Sequence, residues 1–134
     1  MSGTAREELP VFAAARYGGR AARVVAIVAG VVFVAFGLGK FAAYSDELRS
    51  FRDYGLPWPG FFVVAIGLVE TIGGALLLAG RYLRLAALVL AGDMVGAIAI
   101  AGIGSGNVVP SLTLAPALLV AMAYLVATAP RQPL

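Results

Sequence analysis

The sequence predicts an all-α protein, a transmembrane four-helix up-down bundle with its N and C termini in the cytoplasm. The 134 residues are 61% hydrophobic and 13% charged, with a mean hydropathy of +0.94, whereas a soluble domain is about half apolar and a quarter charged. Four apolar runs of about twenty residues follow one another, and each is long enough to cross a ~30 Å hydrocarbon core. A soluble helical bundle with these runs would have too little polar face for water.

The chain starts with a basic tail at 1–21, before a first span predicted at 22–43. Four apolar side chains of the tail would lie on one face of a short interfacial helix, with the arginines among the lipid headgroups: Leu9, Val11, Phe12 and Tyr17. A frayed tail that only sets orientation is the alternative. Basic residues before an apolar run also occur in signal peptides, but this run is long and lacks an A-x-A cleavage pattern.

The other spans are predicted at 60–79, 83–103 and 108–128, followed by a short tail at 129–134. The first connection, 44–59, carries nearly balanced charges. Pro57 and Pro59 flank Trp58, which indicates a turn at the membrane interface.

The arginines predict the orientation of the bundle. They cluster before the first span, in the turn at 80–84 and after the last span, and an even number of spans places all three clusters on one side. By the positive-inside rule that side is the cytoplasm, so we expect a multi-pass protein of the cytoplasmic (inner) membrane, with the lipid bilayer as its surroundings. The net charge of +3 has this membrane explanation, and no nucleic-acid partner is indicated.

Cysteine and histidine are both absent. This composition excludes disulfides, thiolate metal sites, His-ligated haem and His-based catalytic triads. No metal site and no intrinsic cofactor are expected, and an autonomous enzyme is not favoured. Any electron transfer would need a bound molecule or a partner protein.

Two acids interrupt the apolar runs, and they are the most informative residues of the chain. Glu70 and Asp93 each lie about eleven or twelve residues from the turn that joins their spans, or ~17 Å at ~1.5 Å per residue. Both are therefore expected near the middle of the membrane, where an ionisable side chain is by default a hypothesis about function.

Lys40 lies near the outer end of the first span, where a lysine extending to the interface is the ordinary explanation. Helical side chains lean toward the N-terminus of their own helix. Lys40 therefore leans inward while Glu70, on an antiparallel span, leans outward, and we predict an ion pair between them. Phe33 and Phe36 share the face of Lys40 and would form an apolar wall beside it.

Asp93 leans toward the cytoplasm, where Arg84 or Arg81 would be reached only across a long gap. Three states are open for it: a neutral acid, a proton shared with Glu70, or exposure to a wet cavity. Structural hydrogen bonding to a neighbouring helix is the simpler explanation. Glu70 is therefore the stronger functional candidate, and Asp93 is a secondary polar residue within the membrane.

Small residues surround both acids. They would let helices pack closely or would leave space for water or a ligand: Gly67, Gly73, Gly74, Gly92 and Gly96. Pro116 falls inside the predicted fourth span, where it would bend the helix and free the carbonyl of Leu112. Ser111 and Thr113 add hydroxyl groups nearby, although a kink without chemistry is the simpler explanation.

The order of these motifs resembles the DoxX family of small four-span membrane proteins. A G-x-x-K-like end of the first span is followed by a GLP loop, a G-x-x-E-x-x-G-G-x-L-L-L second span and a third span that opens with R-x-A-A. The resemblance covers about 23–100, and Lys40 and Glu70 coincide with the family's polar positions. It implies a bundle in the cytoplasmic membrane and links to quinone-dependent sulfur oxidation or redox-defence complexes, while distant relatives resemble assembly factors.

Three functions follow as hypotheses. The first is a membrane subunit of a redox-linked complex that binds a small apolar molecule such as a quinone, with Lys40 and Glu70 at its polar end and Phe33 and Phe36 along its body. The second is a scaffold or assembly partner for another membrane protein, with no ligand. The third is a proton-coupled carrier of small solutes that acts as an oligomer. A partner enzyme or a homo-oligomer is thus expected.

Overall fold

The computed structural model describes residues 16–103 and 113–130. This part of the chain is helical and contains no strand, which confirms the predicted all-α class. Its helices are α1 (Arg20–Ala42), α2 (Tyr44–Asp53), α3 (Pro59–Ala79), α4 (Leu83–Gly96) and α5 (Leu114–Thr128). A π-helical segment, Ala97–Ile103, continues α4.

Three apolar helical segments are long enough to cross a membrane: Arg20–Ala42, Pro59–Ala79 and Leu83–Ala101, of 23, 21 and 19 residues. At ~1.5 Å per residue they are ~35, ~32 and ~29 Å long. The apolar helix α5 has 15 residues, and 104–112, which include the start of the predicted fourth span, lie outside the described residues. The outer faces of these helices are apolar, as lipid requires, and Val24, Val28 and Val31 of α1 are all exposed.

The four long helices form an antiparallel bundle in which each packs on its neighbours. At Gly30 and Gly74 the backbones of α1 and α3 touch, because a Cβ on Gly74 would lie only 2.8 Å from the carbonyl oxygen of Gly30. The ring of Phe41 packs against Gly67, where a Cβ would lie only 2.9 Å from it. Gly73 lies against Leu90 of α4 in the same way, so three of the expected packing glycines are in close helix contacts. The largest fully buried side chains fill the centre: Phe33, Leu77, Leu83, Leu90, Met122, Leu125 and Val63.

The C-terminal ends of α3 and α5 meet basic and aromatic side chains from other parts of the chain. Tyr17 donates a hydrogen bond of 2.6 Å to the carbonyl of Leu78, and Arg84 donates one of 2.9 Å to the carbonyl of Ala129. Both bonds satisfy carbonyls that have no partner within their own helix. Tyr17 was expected at the membrane interface, but it is 6% exposed and belongs to the core. The other residues predicted on that face, up to Phe12, lie outside the described residues.

The predicted turn at 44–59 was partly wrong, since most of it forms α2. This helix carries acids in its first turn and Arg52 in its last turn, the order that the helix dipole favours. Phe51 is buried on its inner face. The turn is confined to the residues after α2, where Trp58 has a left-handed φ of 47° and Pro59 starts α3.

Pro116 does not kink a helix in the structure. It lies in the first turn of α5, which begins at Leu114, and the first-turn N–H groups of a helix have no intrahelical acceptor to lose. The expectation of a bent helix was therefore wrong. Ser111 and Leu112, which were expected beside it, lie outside the described residues.

Candidate functional site

A buried ion pair joins α1 to α3. Nζ of Lys40 donates a hydrogen bond to Oε2 of Glu70 at 3.1 Å, which confirms the predicted pair. Glu70 is only 3% exposed. The ammonium of Lys40 also lies 6.0 Å from the centre of the Phe36 ring, at the limit of a cation–π contact. The lysine is thus held between a carboxylate and an aromatic face.

Asp93 of α4 lies next to this pair. Its carboxyl interacts with the carboxyl of Glu70 directly and with Lys40 through charge alone. Oδ2 of Asp93 is buried and receives no hydrogen bond from the described residues. Arg84, which Asp93 was expected to reach only across a long gap, binds the end of α5 instead. The two acids belong to one site, and one ammonium faces two carboxyl groups.

The three charged residues form the polar corner of a cavity of about 830 Å³. The cavity lies between all four helices of the bundle and under α2. Its wall is otherwise largely apolar, with Phe36 and the aromatic residues Phe51, Phe61 and Phe62. An apolar cavity of this size with a few convergent polar groups has the features of a small-molecule site.

The cavity also reaches the outside of the bundle. Three apolar residues of its wall are exposed on the outer surface of α3, α4 and the π-helical segment: Phe61 (66%), Val89 (47%) and Ile100 (39%). These residues belong to segments long and apolar enough to span a membrane. The cavity wall thus includes apolar side chains that are exposed on the apolar, membrane-length segments.

Not every residue predicted for the site lines it. Phe36 does, but Phe33 is fully buried in the core between helices and is absent from the cavity wall. Gly92 and Gly96 were expected to pack helices together, yet a Cβ on either would meet nothing within 4 Å. Both border the cavity instead. Their missing side chains leave room beside Asp93, which was the alternative considered for them.

Sequence reasoning missed the contribution of α2. Glu47, Ser50 and Phe51 of this helix line the cavity, together with Tyr54 just after it. The available signal was the spacing of Glu47, Phe51 and Tyr54, which places them on one face of a helix. The cavity thus has a cover made from the connection that was read as a turn.

The chemistry of this site is limited to binding, charge and proton exchange by its own residues. Among the described residues there is no group of three or more His, Cys, Asp or Glu side chains that could hold a metal ion. Lys40 can donate hydrogen bonds, while Glu70 and Asp93 can accept them or exchange protons. Because these groups are buried, their interactions with a ligand would be stronger than in water.

Antiparallel apolar helices that enclose a charged, partly aromatic cavity define a polytopic helical membrane protein. The particular family follows from its sequence. The DoxX family model matches residues 21–103, so the chain belongs to the DoxX family.

Two curated relatives share part of this region. An uncharacterized membrane protein of Mycobacterium tuberculosis, Rv3486, is 41% identical over 76 residues, which are 55% of this chain and 46% of that protein. A Bacillus subtilis protein named "Putative oxidoreductase CatD" is 32% identical over 72 residues, 54% of this chain and 52% of that protein. The chain thus matches about half the length of either relative. No solved structure matches it.

Proposed function

We propose that this protein is the membrane subunit of a redox-linked complex and that it binds a small, mostly apolar molecule of the quinone class in the cavity. The observation that carries this proposal is the polar corner of Lys40, Glu70 and Asp93 at one end of an apolar cavity of about 830 Å³. Lys40 would donate to a ring oxygen, and Phe36 would pack against the ring. Phe33, which lies in the core, has no direct part.

The redox element of the proposal has separate support. The Bacillus subtilis relative is named "Putative oxidoreductase CatD", and the chain itself has neither cysteine nor histidine to carry electrons. The bound molecule would therefore take up or release the electrons, and a partner enzyme would exchange them with it. The carboxyl groups beside it could exchange the accompanying protons.

A binding titration of the full chain in lipid nanodiscs tests the proposal. The probe is decylubiquinone, and empty nanodiscs supply the correction for partition into lipid. Lys40→Met and Glu70→Gln should each weaken binding about tenfold or more, because a hydrogen bond to a charged group is worth about 1.5–3 kcal/mol.

Matched controls come from α2. Arg49→Met and Asp46→Asn remove the same kinds of charge from exposed positions outside the cavity wall, and they should leave the affinity unchanged. Size-exclusion profiles would verify that all four variants are folded. Wild-type affinity in both cavity variants, or no binding of the quinone or its quinol above empty nanodiscs, would overturn the proposal, and copurification with another membrane protein would then favour the scaffold.

A further inference from the structure

The acceptor groups of the polar corner outnumber its donors. Glu70 accepts a hydrogen bond from Lys40 at 3.1 Å. Asp93 contacts the Glu70 carboxyl, but Lys40 acts on it through charge alone, and its Oδ2 receives no hydrogen bond from a described residue. A buried acceptor without a donor is destabilising. The corner is therefore incomplete on the Asp93 side.

The Glu70 carboxyl cannot supply the hydrogen-bond donor that Asp93 lacks. If both carboxyls are ionised, neither has a proton to give. If the pair holds one proton between them, that proton is already engaged, and the remaining oxygen of Asp93 is still an acceptor. In both cases neither Lys40 nor Glu70 supplies the missing donor, and a molecule in the cavity can bring it. Asp93 lines the cavity and has room beside it, because Gly92 and Gly96 have no side chains.

The aromatic residues of the cavity wall indicate the body of that molecule. Phe36, Phe51, Phe61 and Phe62 come from three different helices and all line the same cavity. Aromatic side chains pack favourably on another ring in stacked or edge-to-face arrangements. The cavity thus offers ring contacts along its wall and a hydrogen-bond acceptor at its corner.

We infer that Asp93 selects a ligand that carries a hydroxyl group on an aromatic ring, with the hydroxyl donating to the Asp93 carboxyl. This inference rests on the proposed function and sharpens it, since a quinone has only acceptor oxygens whereas the corresponding quinol has two hydroxyl donors. The site therefore binds the reduced, hydroxyl-bearing form in preference to the oxidised form. Asp93 is a specificity-determining residue for that form.

The test compares decylubiquinol with decylubiquinone, which share one carbon skeleton and differ in their hydroxyl hydrogens. Both are titrated without oxygen into the full chain in nanodiscs, with empty nanodiscs as reference. The wild type should bind the quinol about tenfold or more tightly than the quinone. Asp93→Leu, which has no acceptor, should bring the ratio close to one. Asp93→Asn retains an acceptor oxygen and should keep part of the preference, which provides a second reading if the leucine variant folds poorly.

Asp46→Leu is the matched control, since it replaces an exposed acid of α2 outside the cavity wall, and it should keep the full ratio. Equal affinity of the wild type for both forms would overturn the inference and leave the proposed function intact. An unchanged ratio in Asp93→Leu would overturn it as well. Binding of neither form would overturn the proposed function itself.

Discussion

Gly30 of α1 and Gly74 of α3 bring two membrane helices into backbone contact. A Cβ on Gly30 would lie 2.9 Å from the carbonyl oxygen of Gly74, and one on Gly74 would lie 2.8 Å from the carbonyl oxygen of Gly30. The relationship is thus reciprocal. It sets the distance between the helices that carry Lys40 and Glu70, so that the two side chains can meet.

This contact predicts opposite effects for alanine at two glycines. Gly74→Ala should lower the free energy of unfolding by about 1–3 kcal/mol, because the backbone of α1 would have to shift to make room. Gly92→Ala meets nothing within 4 Å and should be neutral or stabilise the helix by up to about 1 kcal/mol. Unfolding in mixed detergent micelles measures both, and equal destabilisation by the two variants would refute the packing argument.

The ion pair predicts non-additive effects. Lys40→Met removes the cation that faces two carboxyls, and breaking a buried pair in this way should cost about 3–5 kcal/mol of stability. Glu70→Gln keeps a polar group and leaves Asp93 to balance Lys40, so it should cost less. The double variant Lys40→Met with Glu70→Gln should be more stable than Lys40→Met alone.

Reversible unfolding of the wild type, both single variants and the double variant gives the coupling energy. Arg49→Met on the exposed face of α2 controls for the loss of a basic side chain. A double variant whose loss equals the sum of the single losses would show that the pair does not stabilise the bundle.

Pro116 should be dispensable for stability. Because it lies in the first turn of α5, Pro116→Ala should change the free energy of unfolding by less than about 1 kcal/mol. Ala121→Pro, in the middle of the same helix, should cost about 3 kcal/mol or more, since it removes a helical hydrogen bond and clashes with the preceding turn. A large loss in Pro116→Ala would mean that the proline shapes the helix after all.

The orientation in the membrane can be measured by cysteine labelling, because the chain has no cysteine of its own. Tyr17 binds Leu78 and Gly18 lies against Thr128, so the arginine-rich ends of the helices share one side of the bundle, opposite α2. By the positive-inside rule that side should be cytoplasmic. In intact cells a membrane-impermeant maleimide should label Ser45→Cys and should label Thr128→Cys only after permeabilisation. The reverse pattern would contradict the predicted orientation.

The sequence was sufficient to predict the Lys40–Glu70 pair, and the reason is geometric. The order of the spans determines which helices are antiparallel. Because helical side chains lean toward the N-terminus of their own helix, this order also determines which side chains of neighbouring helices reach the same depth in the membrane. The same argument failed for Asp93. The lean of a side chain along the helix axis does not determine the direction in which it projects around that axis. Side-chain packing of α4 on α3, including Leu90 on Gly73, turns Asp93 toward Glu70.

The angular position of residues around α1 also explains why Phe33 lies in the core while Phe36 lines the cavity. They are three positions apart, hence ~60° apart around the helix, and the sequence does not say where the boundary between core and cavity falls. The helix α2 was missed for a different reason. Seven of its ten residues are charged or serine, and its helical state depends on the burial of Phe51, which only the folded bundle supplies.

The exposure of the cavity-wall residues Phe61, Val89 and Ile100 on apolar, membrane-length segments bears on how the occupancy of the cavity is measured. A molecule dissolved in the bilayer would reach the polar corner from within the membrane, without first passing through water. Occupancy would then follow the mole fraction of that molecule among the lipids rather than its aqueous concentration. Two preparations with the same total ligand and different amounts of lipid would fill the cavity to different extents.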